Sequence, residues 1–535
     1  MSLSPKFLFL ILFFPLSVLA QTFTSSNLPL VVLTTNGQTI VDDPKINASM
    51  GIIWNGPGKR NALTDPKNDF NGNIAIEIRG SSSQSMFPKK SYGFETKSID
   101  MVDMDVSLLG MPEENDWILY APYTDKTLVR DVLTYTLDAS MGHYAPRCRY
   151  VELFINGHYE GIYVLMEKIK RNKNRVDIAK LLTTDISGEN LTGGYIIKID
   201  KTTGGGGDGW YSDYINNTNN TFYQYDYPKS SEIVPEQKTY VQTYVRNMEK
   251  ALYLEKFSGL GSYHEFLNDS SFIDFMIINE LAKNIDGYRL SSYLYKGKNK
   301  LMNCGPIWDF NLTYGNCNYY NGWTSTGFEY QTNFAGDSWQ NPFWWNKLMR
   351  DPTYVQNLKR RWSWIRKNEF SDTRIKFVTD SLVSLLSEAQ VRNYQRWTGV
   401  IGQYIWPNYY IGTTYASEVT WMKNWITQRL AYLDKMWPYD FTGNENQRLA
   451  QSQSIYPNPF NDQMTIQLAP STNGNGLAEL FNMGGTLVRK SNIEISNGLT
   501  KLEVSASAGL NPGMYLLRVT QNDKILLTEK VVKRL

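Results

Sequence analysis

Two aspartates lie on either side of one predicted β-hairpin, and their spacing is the chain's clearest chemical signal. Residues Ser292 to Lys296 are rich in tyrosine with apolar alternation, which predicts a strand. Gly297 to Lys300 predicts a turn, and Cys304 to Trp308 predicts part of the returning strand. Asp286 lies 12 residues before the centre of this turn, and Asp309 lies 11 residues after it. Antiparallel pairing would therefore bring both carboxylates to the same end of the ribbon.

Paired carboxylates of this kind suit phosphoryl transfer. One aspartate can orient the acceptor hydroxyl, and the other can hold magnesium on the phosphates of a nucleotide. A glycoside hydrolase would also use two carboxylates, although nothing beyond proximity marks this pair for that chemistry. The plainest alternative is that two surface aspartates flank a hairpin and have no chemical role.

Further segments accompany the aspartates in a fixed order. They are Ile78 to Ser83, Pro88 to Tyr92, Tyr150 to Glu167, and Gly193 to Lys198. Together with the hairpin they resemble the CotH kinase family, the atypical secretory kinases of the spore-coat protein H type, over roughly residues 25 to 440. The resemblance implies an α+β, protein-kinase-like bilobal fold and ATP-dependent phosphorylation of secreted proteins. Not all members that carry the family name are active enzymes.

The resemblance also suggests roles for the aspartates. Asp286 would be the catalytic residue that faces the acceptor hydroxyl, and Asp309 would bind Mg²⁺ or Mn²⁺. Asn311, in the Asp-Phe-Asn sequence, could supply a second oxygen to the metal. Ser291 stands where a conventional kinase loop carries a metal-binding asparagine, so the number of metal ions stays open. The chain has neither a G-x-G-x-x-G loop nor a Walker motif.

Basic residues near the family motifs are candidates for holding the ATP phosphates. Arg79 ends a predicted strand and enters a Gly-Ser-Ser-Ser loop, whose amides and hydroxyls could also meet phosphate. Lys90 opens the next strand. Glu167 could pair with Lys90, as a glutamate does in kinases. Alternatively, Lys168 is the phosphate-binding lysine, and the sequence does not choose between them.

The pattern along the chain predicts a β-rich half followed by a helical half. Residues 27 to about 200 are β-rich, and Asn156-Gly157 suits a type I′ turn between two strands. Residues 200 to 235 predict a loop, either a flap or an insertion. Residues 236 to 283 and 340 to 437 predict helices. The tryptophans of the second helical region could stack on carbohydrate, but helical spacing such as that of Trp421 and Trp425 is more typical of a core.

The first residues of the chain predict an export signal. Residues 1–20 predict a signal peptide, with Lys6, the apolar run from Phe7 to Leu16, and a small-residue cleavage site that ends at Ala20. No later segment predicts a transmembrane helix, so a soluble mature chain is expected, with the kinase-like domain at 21–440.

A short β-rich module, which the pattern predicts to be a small β-sandwich, follows a polar linker at 441–454 and occupies residues 455–535. Its Tyr-Pro-Asn-Pro start, its Gly513-Met-Tyr515 strand and its terminal Lys533 resemble the type A sorting domain of the type IX secretion system. The resemblance implies a Bacteroidota-type cell. It also implies passage across the inner membrane by the signal peptide and across the outer membrane by the type IX machinery. The product would be secreted or held at the cell surface.

Composition excludes some classes of function. A net charge of +2 gives no reason to expect a nucleic-acid partner, and three histidines without a cluster make a histidine-ligated zinc site improbable. Cys304 and Cys317 could form a disulfide in an oxidising compartment, or all three cysteines could be buried free thiols. The leading hypothesis is a secreted ATP- and Mg-dependent kinase acting on Ser or Thr of exported or surface proteins. The alternative is a non-catalytic surface protein that binds envelope proteins or glycans.

Overall fold

The computed structural model describes residues 23–202, 207–216, 219–332, 334–439, 454–468, 472–482, 486–496, 499–504, 510–522 and 524–533. The chain divides into two compact units, before and after Pro438. The predicted signal peptide lies outside the described residues, as does the predicted linker apart from Ser454. No helix among the described residues is long and apolar enough to cross a membrane.

The first unit begins with seven strands that close into a barrel in the order β1-β2-β3-β4-β5-β7-β6. All neighbouring strands are antiparallel except β1 and β6, which pair in parallel and complete the closure. Inward-facing apolar side chains such as Ile74, Ile76 and Phe94 fill the interior. The strands are β1 (Leu30–Thr34), β2 (Ile46–Ile53), β3 (Phe70–Arg79), β4 (Ser91–Lys97), β5 (Asp116–Tyr120), β6 (Cys148–Ile155) and β7 (His158–Glu167).

The hairpin between β6 and β7 confirms one sequence prediction. Asn156 and Gly157 form its turn and both have positive φ, at 50° and 81°. A type I′ turn requires positive φ at both central positions, which asparagine and glycine tolerate.

A second, five-stranded antiparallel sheet has the order β12-β11-β8-β10-β9. The prediction of a loop over residues 200 to 235 was wrong, because two strands of this sheet and the start of a helix lie there. The Gly-rich and Asn-rich stretches at residues 204–207 and 216–220 concealed the strands in the sequence. The strands are β8 (Tyr195–Ile199), β9 (Gly209–Asn216), β10 (Asn219–Tyr227), β11 (Ser292–Lys296) and β12 (Met302–Cys304).

The hairpin of β11 and β12 differs from its prediction in its second strand. β11 has the predicted bounds, but β12 ends at Cys304, and the segment to Trp308 leaves the ladder. Cys304 itself pairs with Leu294. Cys304, Cys317 and Cys148 are all free, so the disulfide considered from the sequence is not formed.

Ten helices of the described chain complete the first unit and confirm both predicted helical regions. Helix α5 is buried from Ser271 to Ala282, because it packs against α2, α7 and α10. Trp425 lies in the core and Trp421 is half-buried at its edge. The helices are α1 (Ser82–Met86), α2 (Arg130–Ser140), α3 (Gly188–Leu191), α4 (Pro235–Tyr253), α5 (Asp269–Ala282), α6 (Trp344–Leu348), α7 (Pro352–Lys367), α8 (Asp372–Leu385), α9 (Ala389–Arg396) and α10 (Tyr415–Met436).

The fold is therefore α+β, as predicted, but the closed barrel was not expected from the sequence. The kinase-like bilobal arrangement stays a prediction. Short 3₁₀ helices lie at Tyr263–Glu265 and Glu329–Gln331.

The second unit is a small β-rich module with its own core. One sheet has the order β13-β14-β17 and the other β16-β15-β18-β19. Side chains such as Phe460, Leu480 and Leu517 form a separate hydrophobic cluster. The strands are β13 (Ser454–Tyr456), β14 (Gln463–Gln467), β15 (Gly474–Asn482), β16 (Leu487–Ile495), β17 (Leu499–Glu503), β18 (Gly513–Gln521) and β19 (Lys524–Lys533).

We expect truncation at residue 450 to leave the first unit folded, because each unit has its own hydrophobic core. Differential scanning calorimetry of the truncated chain should show one cooperative transition at a temperature close to that of the full-length protein. Loss of that transition would show that the C-terminal module is part of the larger core. The same truncation should abolish export when it is expressed in a cell that carries the type IX machinery.

Candidate functional site

The end of helix α5 places Asp286. The helix stops at Lys283, whose φ of 46° turns the chain out of the helix. The Asn284 side chain then joins the two aspartate loops. Its Oδ1 accepts a hydrogen bond from the Asp286 amide at 3.2 Å, and its Nδ2 donates to the Asp309 carbonyl at 3.2 Å. A single amide thus ties the two candidate residues together, although they are far apart in sequence.

The Asp286 carboxylate is held on one side only. Arg289 donates to its Oδ1 at 2.8 Å and to Asp337 at 2.7 Å. The Arg289 guanidinium is itself fixed, because it is buried and lies 4.0 Å above the Phe334 ring. The described residues donate no hydrogen bond to Oδ2 of Asp286. That oxygen can therefore accept a hydrogen bond from another molecule.

Helix α2 places Asp309 from the other side. The Asp131 carboxylate accepts a hydrogen bond from the Phe310 amide at 2.7 Å, and the Tyr135 hydroxyl accepts one from the Asp309 amide at 3.1 Å. Arg130 donates to the Thr313 carbonyl at 2.9 Å. These bonds hold the backbone at Asp309 in a left-handed conformation with φ of 63°, which is uncommon outside glycine.

The electrostatic surroundings of Asp309 are unusual for an exposed carboxylate. Burial by the surrounding protein and the negative charges of Asp131, Asp286 and Asp200 raise its pKa to about 8, and the Arg79 guanidinium acts in the opposite direction. Yet the side chain is exposed, so it lies in a cleft that solvent can enter, and solvent screens part of this repulsion. Burial also raises the pKa of Asp131 to about 6. Clustered carboxylates of this kind are typical of functional sites.

Asp200 and Asp131 are residues that sequence reasoning missed as members of the site. Asp200 follows β8 directly, and the Ser291 amide contacts its carboxylate. Asp131 lies in the first turn of α2. Neither residue belongs to a local sequence motif, because each comes close to Asp309 only through the tertiary fold.

Arg79 is the predicted phosphate ligand that the structure brings to the aspartates. Its guanidinium lies 5.5 Å from the centre of the Trp308 ring and interacts with Asp309. The loop that follows Arg79 is also close to a lysine, since Lys201 donates to the Ser82 hydroxyl at 3.2 Å. This side of the cleft therefore combines an arginine, a lysine and a hydroxyl.

Lys90 and Glu167 do not form the ion pair that the sequence suggested. The Lys90 ammonium donates to the Gln84 and Phe87 carbonyls of its own loop. Glu167 is fully buried and pairs with Arg147 at 2.9 Å. The strand order explains the difference, because β5 lies between β4, which follows Lys90, and β7, which ends at Glu167.

Lys168 lies at the rim of the charged group. It is exposed, forms an ion pair with Asp116 at 3.5 Å, and interacts with Asp226. Asp226 in turn pairs with Lys198 at 3.7 Å. Lys168 thus borders the same set of charges, but its ion pair is with Asp116 and not with either central aspartate.

The donor set at Asp309 fits a hard divalent cation. Its carboxylate accepts no hydrogen bond from the described residues, and the raised pKa means that a cation would be favourable there. Nearby, Asn311 donates weakly to the Thr124 hydroxyl at 3.4 Å, which leaves its side-chain oxygen available. Within the described chain, no three His, Cys, Asp or Glu side chains form a metal cage alone. Magnesium commonly binds one or two carboxylates and completes its shell with phosphates and water.

Two cavities of the first unit, about 520 and 170 Å³, are lined by neither Asp286 nor Asp309. Asp309 is exposed and Asp286 is half-buried, so both carboxylates are open to solvent. An open cleft is compatible with a macromolecular acceptor, whereas an enclosed pocket would admit only a small one.

Comparison with known proteins identifies the family. The family model of the CotH kinase protein matches residues 76–433, and the chain belongs to that family. The model of the secretion system C-terminal sorting domain matches residues 454–534. The protein is thus a secreted, kinase-like member of the family, and its sorting tail indicates use of the type IX secretion machinery and a secreted or cell-surface location.

Other comparisons add little. No curated protein matches the chain. Dimeric latent PorU from Porphyromonas gingivalis matches 15% of this chain and 9% of its own, with 20% identity and a TM-score of 0.13. The alkylpurine DNA glycosylase AlkC of Pseudomonas fluorescens matches 36% of this chain and 51% of its own, with 12% identity and a TM-score of 0.11. The chain covers less than two thirds of either protein, and these matches carry no functional argument.

Lys89, the residue before Lys90, makes the stability of the barrel depend on pH in a way that can be tested. Its ammonium is buried, donates to the Ile162 carbonyl at 2.6 Å, and has its pKa lowered by burial from 10.5 to about 7. Between pH 7 and pH 10.5, Lys89 is protonated in the unfolded chain but largely neutral in the folded one. Its contribution to the free energy of unfolding therefore increases as pH rises. We expect the wild type to gain stability over Lys89→Met between pH 7 and pH 9 in urea titrations.

The control for this test is Lys59→Met, at an exposed lysine. It should follow the wild type at both pH values. Parallel pH profiles of the wild type and Lys89→Met would contradict the prediction.

Proposed function

We propose that this protein is a secreted ATP- and Mg-dependent kinase that phosphorylates Ser or Thr of exported or surface proteins. The single observation that carries the proposal is the convergence of Asp286 and Asp309 on one cleft with Arg79 beside them. Family membership supports the reaction type, and the sorting tail supports the compartment.

Asp286 is the proposed catalytic residue. Arg289 fixes one carboxylate oxygen, and the other is free to accept a hydrogen bond from the acceptor hydroxyl. In phosphoryl transfer such a residue orients the nucleophile and takes its proton late. Because the guanidinium is locked by Asp337 and Phe334, the carboxylate is positioned before the acceptor binds.

Asp309 and Asn311 are the proposed metal ligands. Mg²⁺, or Mn²⁺ in its place, would neutralise charge on the ATP phosphates. Asp309 would provide the carboxylate oxygen, and the amide of Asn311 would provide a neutral one. Asp131 would act through the Phe310 amide to hold the Asp309 backbone.

The ATP phosphates would contact the basic side of the cleft. Arg79 suits this role because its planar guanidinium can bind phosphate in a bidentate manner. Lys201 and the Ser82 hydroxyl are additional donors on the same side. Lys168 is a candidate at the rim, while Lys90 and Glu167 support the barrel instead. A kinase-like bilobal plan would place the nucleotide between the β-rich and helical parts.

We expect Asp309→Ala to abolish magnesium-dependent nucleotide binding, because it removes the only carboxylate proposed to contact the metal. Isothermal calorimetry with a non-hydrolysable ATP analogue, with and without magnesium, measures this directly. Asp100→Asn, at an exposed aspartate that follows the end of β4 opposite to the end paired with Arg79, is the control and should bind as the wild type does. An unchanged magnesium-dependent affinity for the nucleotide in Asp309→Ala would contradict the proposed role of Asp309 as a metal ligand.

We expect Asp286→Asn to lower phosphoryl transfer by at least about a hundredfold while ATP binding stays largely intact. Asparagine keeps the volume and an oxygen that can face Arg289, but it cannot accept the proton. Transfer of labelled phosphate to a generic protein acceptor, or autophosphorylation, measures the rate on the same preparation used for nucleotide binding.

Wild-type-like transfer by the asparagine variant would rule out the role of Asp286. Absence of transfer from the wild type with magnesium and with manganese would favour the alternative, a non-catalytic surface protein that binds envelope proteins or glycans.

A further inference from the structure

Two segments beside the candidate site contain no charged residue at all. Neither Phe310 to Phe328 nor Trp397 to Ser417 includes an Asp, Glu, Lys, Arg or His. Both are rich in Tyr, Gly and Thr. One segment follows Asp309 directly, so its composition bears on what binds next to the aspartates.

The two segments pair with each other in the fold. The Asn318 amide donates to the Pro407 carbonyl, and the Tyr409 amide donates to the Asn316 carbonyl, both at 2.9 Å. Beneath them the Asn408 side chain donates to Asn316 Oδ1 at 2.8 Å. Residues distant in sequence therefore form one continuous surface.

Aromatic rings from both segments stack across this junction. The Tyr319 and Trp406 rings lie 5.8 Å apart at an interplanar angle of 11°, and those of Trp323 and Tyr409 lie 5.1 Å apart at 6°. Several members are well exposed, at 52% for Tyr404, 42% for Trp406, 44% for Tyr409 and 42% for Ile411. We name this surface, formed by Tyr319, Trp323, Tyr404, Trp406, Tyr409 and Ile411, the neutral aromatic face.

The neutral aromatic face adjoins the proposed catalytic residue. Burial and the Asp286 carboxylate both raise the pKa of Tyr319, which places that ring within the field of Asp286. The next residue, Tyr320, donates to Asp337 at 3.2 Å, the same carboxylate that holds Arg289. A molecule lying on the face would therefore extend towards Asp286.

Buried charges hold this face rigid from below. Lys283 donates to the carbonyls of Asn321, Thr324 and Thr326 and to the Thr324 hydroxyl, at 2.6 to 3.1 Å. Arg429 donates to the Gly327 carbonyl at 2.6 Å. A pre-organised aromatic surface loses little entropy when a partner binds, which favours recognition over a purely structural role.

We propose that the neutral aromatic face binds the acceptor, and that the acceptor is an uncharged segment of polypeptide around the Ser or Thr to be phosphorylated. The proposal rests on the proposed kinase function. Exposed Tyr, Trp and Ile in one patch are typical of protein interfaces. A charged side chain desolvated against this face would find no opposite charge in either segment, so acidic and basic acceptors are disfavoured.

The first test measures binding without catalysis. A short synthetic peptide of Thr, Ser, Asn and Gly is titrated into the full chain, alongside peptides of equal length with Lys or Asp on either side of the Thr. We expect the neutral peptide to bind at least roughly tenfold more tightly than either charged one, and Trp406→Ala or Tyr409→Ala to weaken it at least roughly tenfold. Phe377→Ala, at an exposed aromatic residue of α8, is the matched control and should bind as the wild type does.

The second test measures transfer to the same peptides. Trp406→Ala should raise KM for the neutral peptide while the affinity for ATP is unchanged. If the wild type binds the neutral peptide through this face but transfers no phosphate, the kinase function fails and the binding proposal stands. The proposal would be overturned if a charged peptide bound more tightly than the neutral one. It would also be overturned if Trp406→Ala and Tyr409→Ala had no effect, or if the face bound a neutral oligosaccharide in place of the peptide.

Discussion

One buried ion pair anchors the end of helix α5, from which the chain continues into Asp286. Glu280 of α5 and Arg429 of α10 are completely inaccessible to solvent and meet at 2.9 Å. The Glu280 carboxylate also accepts hydrogen bonds from the Tyr330 amide and the Tyr288 hydroxyl, at 2.9 and 3.0 Å. Breaking such a pair costs about 3–5 kcal/mol, because the remaining charge is left buried. The end of α5, and with it Asp286, is thereby held against α10.

The charges in the cleft are arranged in the opposite way, since they are mostly of one sign. Its carboxylates are near one another and are only partly compensated by Arg79, so their mutual repulsion works against folding. The surrounding structure maintains this unfavourable cluster through hydrogen bonds to the backbone, such as those at Asp309 and Phe310. A bound cation would relieve the repulsion. The paired charges of Glu280 and Arg429 are thus buried beneath the site, while the Asp309 carboxylate is exposed where a ligand can reach it.

The sequence predicted the meeting of the aspartates correctly but gave an incomplete reason for it. The period-two pattern located β11 with the right bounds, whereas the returning strand ends at Cys304 and Asn284 makes the connection between the loops. Asp131 and Asp200 were not predicted as site residues because they reach the cleft through tertiary packing, which leaves no local pattern. Barrel closure depends on the pairing of β1 with β6, and such long-range pairing has no signature in a single sequence.

The charge distribution on the two sides of Asp286 suits the two partners of a phosphoryl transfer. A nucleotide is highly charged, and the side of the cleft with Arg79 and Lys201 can interact with it electrostatically. A neutral acceptor gains nothing from such a field and must be held by contact area and shape. The uncharged segments around Tyr319 and Trp406 provide that kind of surface. Under the proposed kinase function, the charged phosphates of ATP would favour the side with Arg79 over the uncharged segments, and Asp286 would lie between the two partners.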